Sequence, residues 1–433
     1  MTPALPSDQA DPIVVTGLGA VSPLGVGMEA AWRGLMAGRS GIRRNDRFDT
    51  SDYACRIAGL VPGRDEPDGL DPLDHVDGKD LRKMDFFIVY ALAAAAQALS
   101  QSGWAPDEAE PLSRTATVIG TGVGGVPAMP GAMDTIRTRG PRRLSPFVVP
   151  SFLPNLAAGW ISIRHGFTGP IGAPTTACAA SAQAIADGMR LIRSGEADVA
   201  LVGGADACVD PISIGGFSAA RALATDFNDR PEEASRPFDR ARAGFVLSEG
   251  AAALVIETLS HARARGATPL AVLAGHGASA DAYQLTAGHA DGRGPRAAME
   301  KAMAMAGLAP AEIDYVNAHS TSTPVGDAAE IAAIASALPN RGADLAVTAT
   351  KANTGHLLGA AGALEAAITV EILRRQTIPP AANLSDPEPA ARAWTLATEG
   401  PVTRPIRAAL SNAFGFGGVN ACLAFRDAAS LPD

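Results

Sequence analysis

Short runs of consecutive apolar residues recur along the chain, and stretches with a helical repeat separate them. In the first half these runs lie at 13–17, 116–120, 199–204 and 252–256. Runs in which nearly every residue is apolar are typical of strands that are covered on both faces of a sheet. The pattern therefore predicts a sheet buried between layers of helices.

The second half of the chain repeats this order of elements. Its predicted strands lie at 269–273, 315–318, 345–348 and 407–411. Residues at helical spacing predict helices at 86–101, 181–194, 295–306, 327–337 and 362–375. Segments rich in proline and glycine, at 122–150 and 377–405, predict loops. The alternation of strands and helices indicates an α/β architecture.

Composition narrows the class of protein. The chain has 433 residues, of which 47% are hydrophobic and 19% charged, which is typical of a globular protein. Its net charge of −9 and the lack of a basic tract argue against a nucleic-acid partner. The N-terminal segment 1–11 has no secretory signal, and the longest apolar stretch, 86–96, is too short for a membrane span. We therefore expect a soluble cytoplasmic protein that is not bound to a membrane.

Cys178 is the first candidate for catalysis. It lies where the extended stretch 173–177 gives way to a helical pattern. The exposed N–H groups and the dipole of a helix start favour a thiolate, which is the nucleophilic form of cysteine. The other cysteines, Cys55, Cys208 and Cys422, form no CxxC motif and are interpreted as buried apolar residues.

Two histidines stand in segments with matching chemistry. His319 follows a predicted strand and precedes four hydroxyl residues and a proline, and His356 ends the glycine-containing stretch 351–356. Neither has a second histidine or cysteine at the spacing of metal ligands, which argues against a metal site. One cysteine and two histidines in such surroundings suggest acyl transfer through a thiol.

Two glycine-rich segments remain. The segment 120–125 lacks the Gly-Lys-Ser/Thr of a phosphate loop, so we do not expect nucleotide binding. The segment 411–420, SNAFGFGGVN, places glycines around two aromatic residues, which is unfavourable in a plain strand. We expect it to form a mobile loop whose backbone N–H groups could stabilise an oxyanion.

Together with the stretches 15–25 and 235–240, these motifs resemble the β-ketoacyl-acyl-carrier-protein synthases, and the elongating synthases II of bacterial fatty acid synthesis most of all. The resemblance extends from 13 to 425, with every motif in family order. It implies the thiolase fold, a duplicated, five-layered αβαβα sandwich. Its halves would be 1–265, which carries the cysteine, and 266–433, which carries the histidines. It also implies a homodimer.

The resemblance assigns a role to each motif residue. Cys178 would accept the acyl chain from its carrier, and His319 and His356 would hydrogen-bond the malonyl thioester oxygen during decarboxylation. Lys351 would set the charge around the histidines, and Glu365 would support the second of them. The product would be a 3-oxoacyl chain on the carrier, with CO₂, in fatty acid elongation. The loss of CO₂ drives this condensation, so no cofactor is expected.

Further roles concern the pocket. The backbone N–H groups of Cys178 and Phe416 would form an oxyanion hole, and Phe416 would gate the acyl pocket. Thr321, Thr323 and Phe414 would contact the substrate beside Phe416.

The resemblance also implies acyl carrier protein, in acyl and malonyl forms, as the partner. Because that partner is acidic, docking requires a basic patch on this acidic chain. Lys79, Arg82 and Lys83 have the spacing of one helix face. Arg142, Arg143 and Arg221 match family positions that meet the carrier.

The sequence departs from the family pattern at Ser320, Ala243, Ser248 and Val419, where glycine, aspartate, glycine and threonine are common. None of these departures removes a catalytic group. A specialised ketosynthase of a polyketide or polyene pathway would share every catalytic residue and remains the alternative.

Three other classes are disfavoured. A non-catalytic chain-length partner would lack Cys178. A degradative thiolase would place Cys422 in a Cys-x-Gly turn, whereas here it lies in a strand-like run. A papain-like hydrolase would lack the second histidine motif.

Overall fold

The computed structural model describes residues 11–431. The predicted lack of a secretory signal concerns a segment that lies almost entirely outside the described residues. Within residues 11–431, no helix has the length and apolar character needed to cross a bilayer.

Strands and helices alternate along the described chain. The strands are β1 (Ile13–Ser22), β2 (Gly25–Val26), β3 (Ile42–Arg44), β4 (Ile57–Gly59), β5 (Thr115–Gly120), β6 (Ile171–Gly172), β7 (Val199–Asp206), β8 (Gly250–Thr258), β9 (Ala271–Ala280), β10 (Tyr315–Asn317), β11 (Ala346–Thr348), β12 (Thr377–Ile378), β13 (Val402–Thr403), β14 (Ala408–Gly415) and β15 (Val419–Asp427). The helices are α1 (Met28–Met36), α2 (Pro72–His75), α3 (Gly78–Leu81), α4 (Phe86–Ser102), α5 (Ala109–Ser113), α6 (Ala128–Arg139), α7 (Val148–Phe152), α8 (Leu156–His165), α9 (Ala180–Arg193), α10 (Pro211–Ala219), α11 (Leu259–Ala264), α12 (Arg293–Ala306), α13 (Pro324–Ala337), α14 (Lys351–Thr354) and α15 (Ala361–Arg375).

Ten strands form two five-stranded halves with the same pattern. One half has the order β6-β5-β7-β8-β1 and the other β11-β10-β14-β15-β9. In each half the first two pairings are parallel and the last two antiparallel. A short antiparallel pairing of β1 with β9, at Val14–Val272 and Val15–Ala271, joins them. The similar order of elements read from the sequence is therefore a repeated sheet topology.

Helices α9 and α15 lie between the two halves. Residues of both helices share one hydrophobic core with strands from both halves. Helix α4 covers the outer face of the first half, and α12 and α13 cover that of the second. On β1, a Cβ at Gly17 would lie 2.1 Å from the carbonyl oxygen of Ala98, so glycine permits the close approach of α4. The result is the predicted five-layered α/β sandwich.

One predicted loop is wrong. The segment 122–150 contains α6 and the start of α7, although its prolines and glycines suggested a loop. Pro130 lies in the first turn of α6, where a missing N–H costs no helical hydrogen bond. The segment 377–405 is largely irregular, as predicted, apart from the two-residue strands β12 and β13.

Candidate active site

Cys178 lies in a tight turn at the entry to the central helix layer. The turn, Ala177–Ala179, is a 3₁₀ helix that leads directly into α9. Ala177 has a φ of 49°, a left-handed conformation that costs a non-glycine residue about 1–2 kcal/mol. Such strain is typical of residues that hold a functional group in place. The turn leaves the Cys178 side chain half-buried, facing a cavity.

The Cys178 thiol is not predisposed to ionise in this structure. Burial raises its pKa to about 12. This effect is larger than the lowering of the same pKa by the charge of Lys351 and by the backbone N–H groups of Phe416 and of Cys178 itself. The N–H groups at the helix start do favour the thiolate, as expected, but the thiol nevertheless stays protonated in the free enzyme. The N–H groups are present, but desolvation is the larger effect. The thiolate must form as the reaction proceeds.

His356 lies against the thiol. Its Nε2 atom is 3.0 Å from the Cys178 sulfur. The backbone of His356 is held on both sides, because its N–H donates to the Val246 carbonyl (2.8 Å) and its carbonyl accepts from the Ser248 N–H (3.0 Å). Gly355, with a φ of 68°, makes the turn that presents the ring. These contacts fix the imidazole relative to the nucleophile.

His319 completes the group. It follows β10, and its ring centroid lies 5.3 Å from that of His356 and 5.6 Å from that of Phe414. Burial, reinforced by the charge of Lys351, holds the pKa of both histidines well below the ordinary value of 6.5. Both imidazoles are therefore neutral at physiological pH.

The two Nδ1 atoms indicate the tautomer of these rings. Nδ1 of His319 and Nδ1 of His356 are buried and have no hydrogen-bond partner among the described residues. An N–H at either position would be buried without an acceptor, and orphaned N–H groups are rarer than orphaned acceptors. We therefore assign the protons to Nε2, so that both rings can donate into the cavity.

Lys351 and Glu365 form a buried ion pair behind the histidines. The Lys351 ammonium contacts one carboxylate oxygen of Glu365, and both side chains are almost completely buried. The hydrogen bond found for this carboxylate goes to Lys351 and not to His356. Glu365 therefore has no hydrogen bond to the second histidine, and its contact with the catalytic group goes through Lys351.

Glu330 is a residue of the site that the sequence reasoning missed. Its Oε1 accepts the backbone N–H of His319 (2.8 Å) and the amide of Asn412 (3.0 Å), and its Oε2 accepts the hydroxyl of Ser320 (2.7 Å). The signal in the sequence was an acidic residue among alanines and isoleucines on α13, at a position that has to be buried. This carboxylate fixes the backbone that carries His319.

The site opens into a largely apolar cavity of about 640 Å³. Besides the cysteine and both histidines, its walls include the predicted substrate residues Thr321, Thr323, Phe414 and Phe416. A largely apolar cavity of this size can hold an apolar small molecule or an extended hydrocarbon chain.

The segment 411–420 is not the mobile loop that we expected. Strands β14 and β15 pair over most of it, and only Phe416–Gly418 form a turn. Gly417 and Gly418 have φ values of 85° and 75°, which explains two of the glycines. Phe416 is 40% exposed, and its backbone N–H lowers the pKa of the Cys178 thiol, as a donor close to that sulfur does.

The predicted docking residues occupy several segments. Lys79 and Arg82 are exposed, but α3 ends at Leu81, so the three residues at 79–83 do not continue along one helix. Lys83 pairs with Asp80 (2.6 Å) and lies over the ring of Phe147, which ends the stretch that carries the exposed Arg142 and Arg143. Arg221 is exposed and lies at the wall of the cavity.

Two family models match the chain. The model described as Beta-ketoacyl synthase, N-terminal domain, matches residues 10–262, and that of the C-terminal domain matches residues 270–385. Among curated proteins, 3-oxoacyl-[acyl-carrier-protein] synthase 2 of Rhizobium meliloti is 44% identical over 96% of this chain and 98% of its own. The enzyme of the same name from Vibrio cholerae is also 44% identical, with the same coverage.

Solved structures give the same result. A β-ketoacyl synthase from Burkholderia phymatum has a TM-score of 0.86 and 33% identity, and covers 96% of this chain and 99% of its own. A type II polyketide ketosynthase, solved with its acyl-carrier protein and bound to a hexaketide, has a TM-score of 0.84 and 28% identity at the same coverage. The chain therefore belongs to the β-ketoacyl synthase family and has the thiolase fold that its motifs predicted.

Proposed function

We propose that this protein condenses an acyl chain held on Cys178 with malonyl-acyl carrier protein, in fatty acid elongation. The observation that carries the proposal is the Cys178 sulfur 3.0 Å from His356 Nε2, with His319 beside it at the wall of an apolar cavity. The curated relatives above are named as 3-oxoacyl-[acyl-carrier-protein] synthases 2, so the specialised polyketide ketosynthase is not favoured.

Acyl transfer to Cys178 is the first step. The Cys178 sulfur attacks the thioester carbon of the acyl carrier, and the N–H groups of Cys178 and Phe416 stabilise the oxyanion that forms. The bond to the carrier sulfur then breaks, and the proton of the Cys178 thiol ends on that sulfur. Because the thiol pKa is about 12, few molecules hold a free thiolate before the substrate binds.

Decarboxylation of the malonyl group follows. The bond between its α carbon and its carboxylate breaks, CO₂ leaves, and the electron pair forms an enolate. The Nε2–H groups of His319 and His356 donate to the enolate oxygen, and Lys351 adds positive potential from behind. The α carbon then attacks the acyl thioester on Cys178, and the released thiolate takes up a proton.

The experiment that tests this function supplies purified protein with malonyl-acyl carrier protein and a ladder of saturated acyl carriers. We expect 3-oxoacyl products two carbons longer than each accepted primer, with one CO₂ released for each condensation. Repeated condensation without reduction, to a poly-oxo chain, would favour the polyketide alternative. The absence of product from every primer would overturn the proposal.

We further propose that the carrier docks on these exposed basic segments. Arg221 lies at the cavity wall, and the contact of Lys83 with Phe147 brings the 79–83 segment next to the stretch with Arg142 and Arg143. A solved relative forms a complex with its own acyl-carrier protein. Surface charges of this kind mainly steer association and are screened by salt.

Reversing two of these charges should weaken use of the carrier. In Lys79→Glu with Arg82→Glu, we expect the KM for malonyl-acyl carrier protein at low salt to rise at least about fivefold, because attraction becomes repulsion. Decarboxylation of a small malonyl thioester should not change. The matched control reverses two exposed charges that do not line the cavity, Arg33→Glu with Arg392→Glu. An equal KM in both double variants would remove Lys79 and Arg82 from the interface.

We also propose a homodimer. Strand β6 lies at the end of its sheet half, where an unpaired edge invites pairing with another chain. Large apolar side chains are exposed on α6, α8 and β6: Met129, Met133, Ile136, Ile163 and Ile171. Exposed apolar side chains near an open sheet edge are common at interfaces between subunits. A monomer mass by light scattering at micromolar concentration would contradict this assignment.

Localisation in the cytoplasm stays a prediction, which fractionation of the source cells would test.

A further inference from the structure

The catalytic group brings three metal-binding side chains together. The Cys178 sulfur and one ring nitrogen each of His319 and His356 all lie within 4.8 Å of one another. The spacing of these residues in the sequence gave no sign of this, because three separate segments deliver them. We propose that this site binds one Zn²⁺ ion, or a similarly soft divalent cation, reversibly, and that the bound ion blocks acylation of Cys178.

The distances are close to those of a tetrahedral site. With Zn–S near 2.3 Å and Zn–N near 2.0–2.1 Å, a tetrahedral ion separates sulfur and nitrogen ligands by about 3.5 Å, and two nitrogens by about 3.4 Å. The observed 3.0 Å between Cys178 Sγ and His356 Nε2 requires a shift of about half an ångström. The cavity leaves the fourth position open to water.

The chemistry of the donors also fits. Zinc binds imidazole nitrogen and thiolate sulfur, which are the donor atoms that these three side chains bring together. Binding would replace the proton of the Cys178 thiol by the ion, so that one proton is released for each Zn²⁺ bound. A sulfur bound to zinc cannot attack a thioester. Acylated Cys178 has no free thiolate, so acylation and zinc exclude each other.

Two features limit the affinity, which makes the ion an inhibitor and not a permanent part of the protein. Ligation through Nε2 would place a proton on each Nδ1, and neither Nδ1 has an acceptor among the described residues, whereas zinc histidines usually have one. The charge of Lys351 also opposes a cation, although its ion pair with Glu365 reduces that repulsion.

The zinc proposal rests on the same three side chains as the proposed function. The test therefore measures metal binding and condensation separately. Wild-type protein is titrated with Zn²⁺ in a metal buffer, and with Co²⁺ as a spectroscopic probe. We expect one ion per chain, one proton released, a thiolate-to-cobalt absorption band, and protection of Cys178 from alkylation. Condensation should stop in proportion to occupancy and recover when a chelator is added.

Variants separate this site from others. Cys178→Ser and His356→Gln should each bind Zn²⁺ at least about tenfold more weakly, since the loss of even an outer-shell partner costs a metal site that much. His276→Gln, a buried histidine outside the cavity, should bind as the wild type does. Equal binding by Cys178→Ser and wild type, or no cobalt–thiolate band, would overturn the proposal. An enzyme that condenses normally but binds no zinc would leave the proposed function intact.

Discussion

The Cys178→Ala variant should lose condensation completely, because it removes the sulfur that we propose holds the acyl chain covalently during the reaction. Mass spectrometry of the wild type after incubation with an acyl carrier should place the acyl group on the peptide that contains Cys178. Decarboxylation of malonyl-acyl carrier protein should persist in the variant, since His319 and His356 still offer their N–H groups. This separation of two half-reactions distinguishes a lost nucleophile from a misfolded site.

The other cysteines supply the control for this prediction. Burial raises the pKa of Cys55, Cys208 and Cys422, and none of the three lines the cavity. Cys422→Ala should therefore keep acylation and condensation. An acyl group recovered on any of these three side chains, or condensation by Cys178→Ala, would contradict the mechanism.

The fold could be predicted to a large extent because burial leaves a direct trace in the sequence. Strands such as β7 and β8 are covered on both faces, so their residues are almost all apolar. Helix α6 was missed because the segment 122–150 around it is rich in glycine and proline and none of the helix residues is buried. The prediction that the basic residues of 79–83 share one helix face was wrong, because the spacing of residues does not show where a helix ends.

The motifs predict which side chains form the site, but they do not predict the pKa values of those side chains. The sequence indicates which side chains carry the chemistry, but the pKa of Cys178 depends on how much water the folded chain removes, and burial reverses the expected direction. Glu330 was missed for a related reason. It lies eleven positions from His319, and only the packing of α13 against β10 brings its carboxylate to that backbone N–H.

His319→Ala and His356→Ala should each slow malonyl decarboxylation by at least about 10²-fold, the scale of one lost oxyanion donor. The two neutral rings donate to the same developing enolate oxygen, so the loss of either leaves the charge with one donor in a site that excludes most water. Transfer of the acyl chain to Cys178 should survive better, because the N–H groups of Cys178 and Phe416 stabilise that transition state.

The measurement follows CO₂ release and Cys178 acylation in parallel, in single turnovers. His276→Ala serves as the control, since this buried histidine on β9 contacts Arg190 and lies outside the cavity. Its decarboxylation should match the wild type. If both His319→Ala and His356→Ala decarboxylate at near-normal rates, the enolate is stabilised elsewhere, and Lys351 becomes the group to replace. If acylation falls as steeply as decarboxylation in His356→Ala alone, the contact between Nε2 and the thiol controls the nucleophile as well.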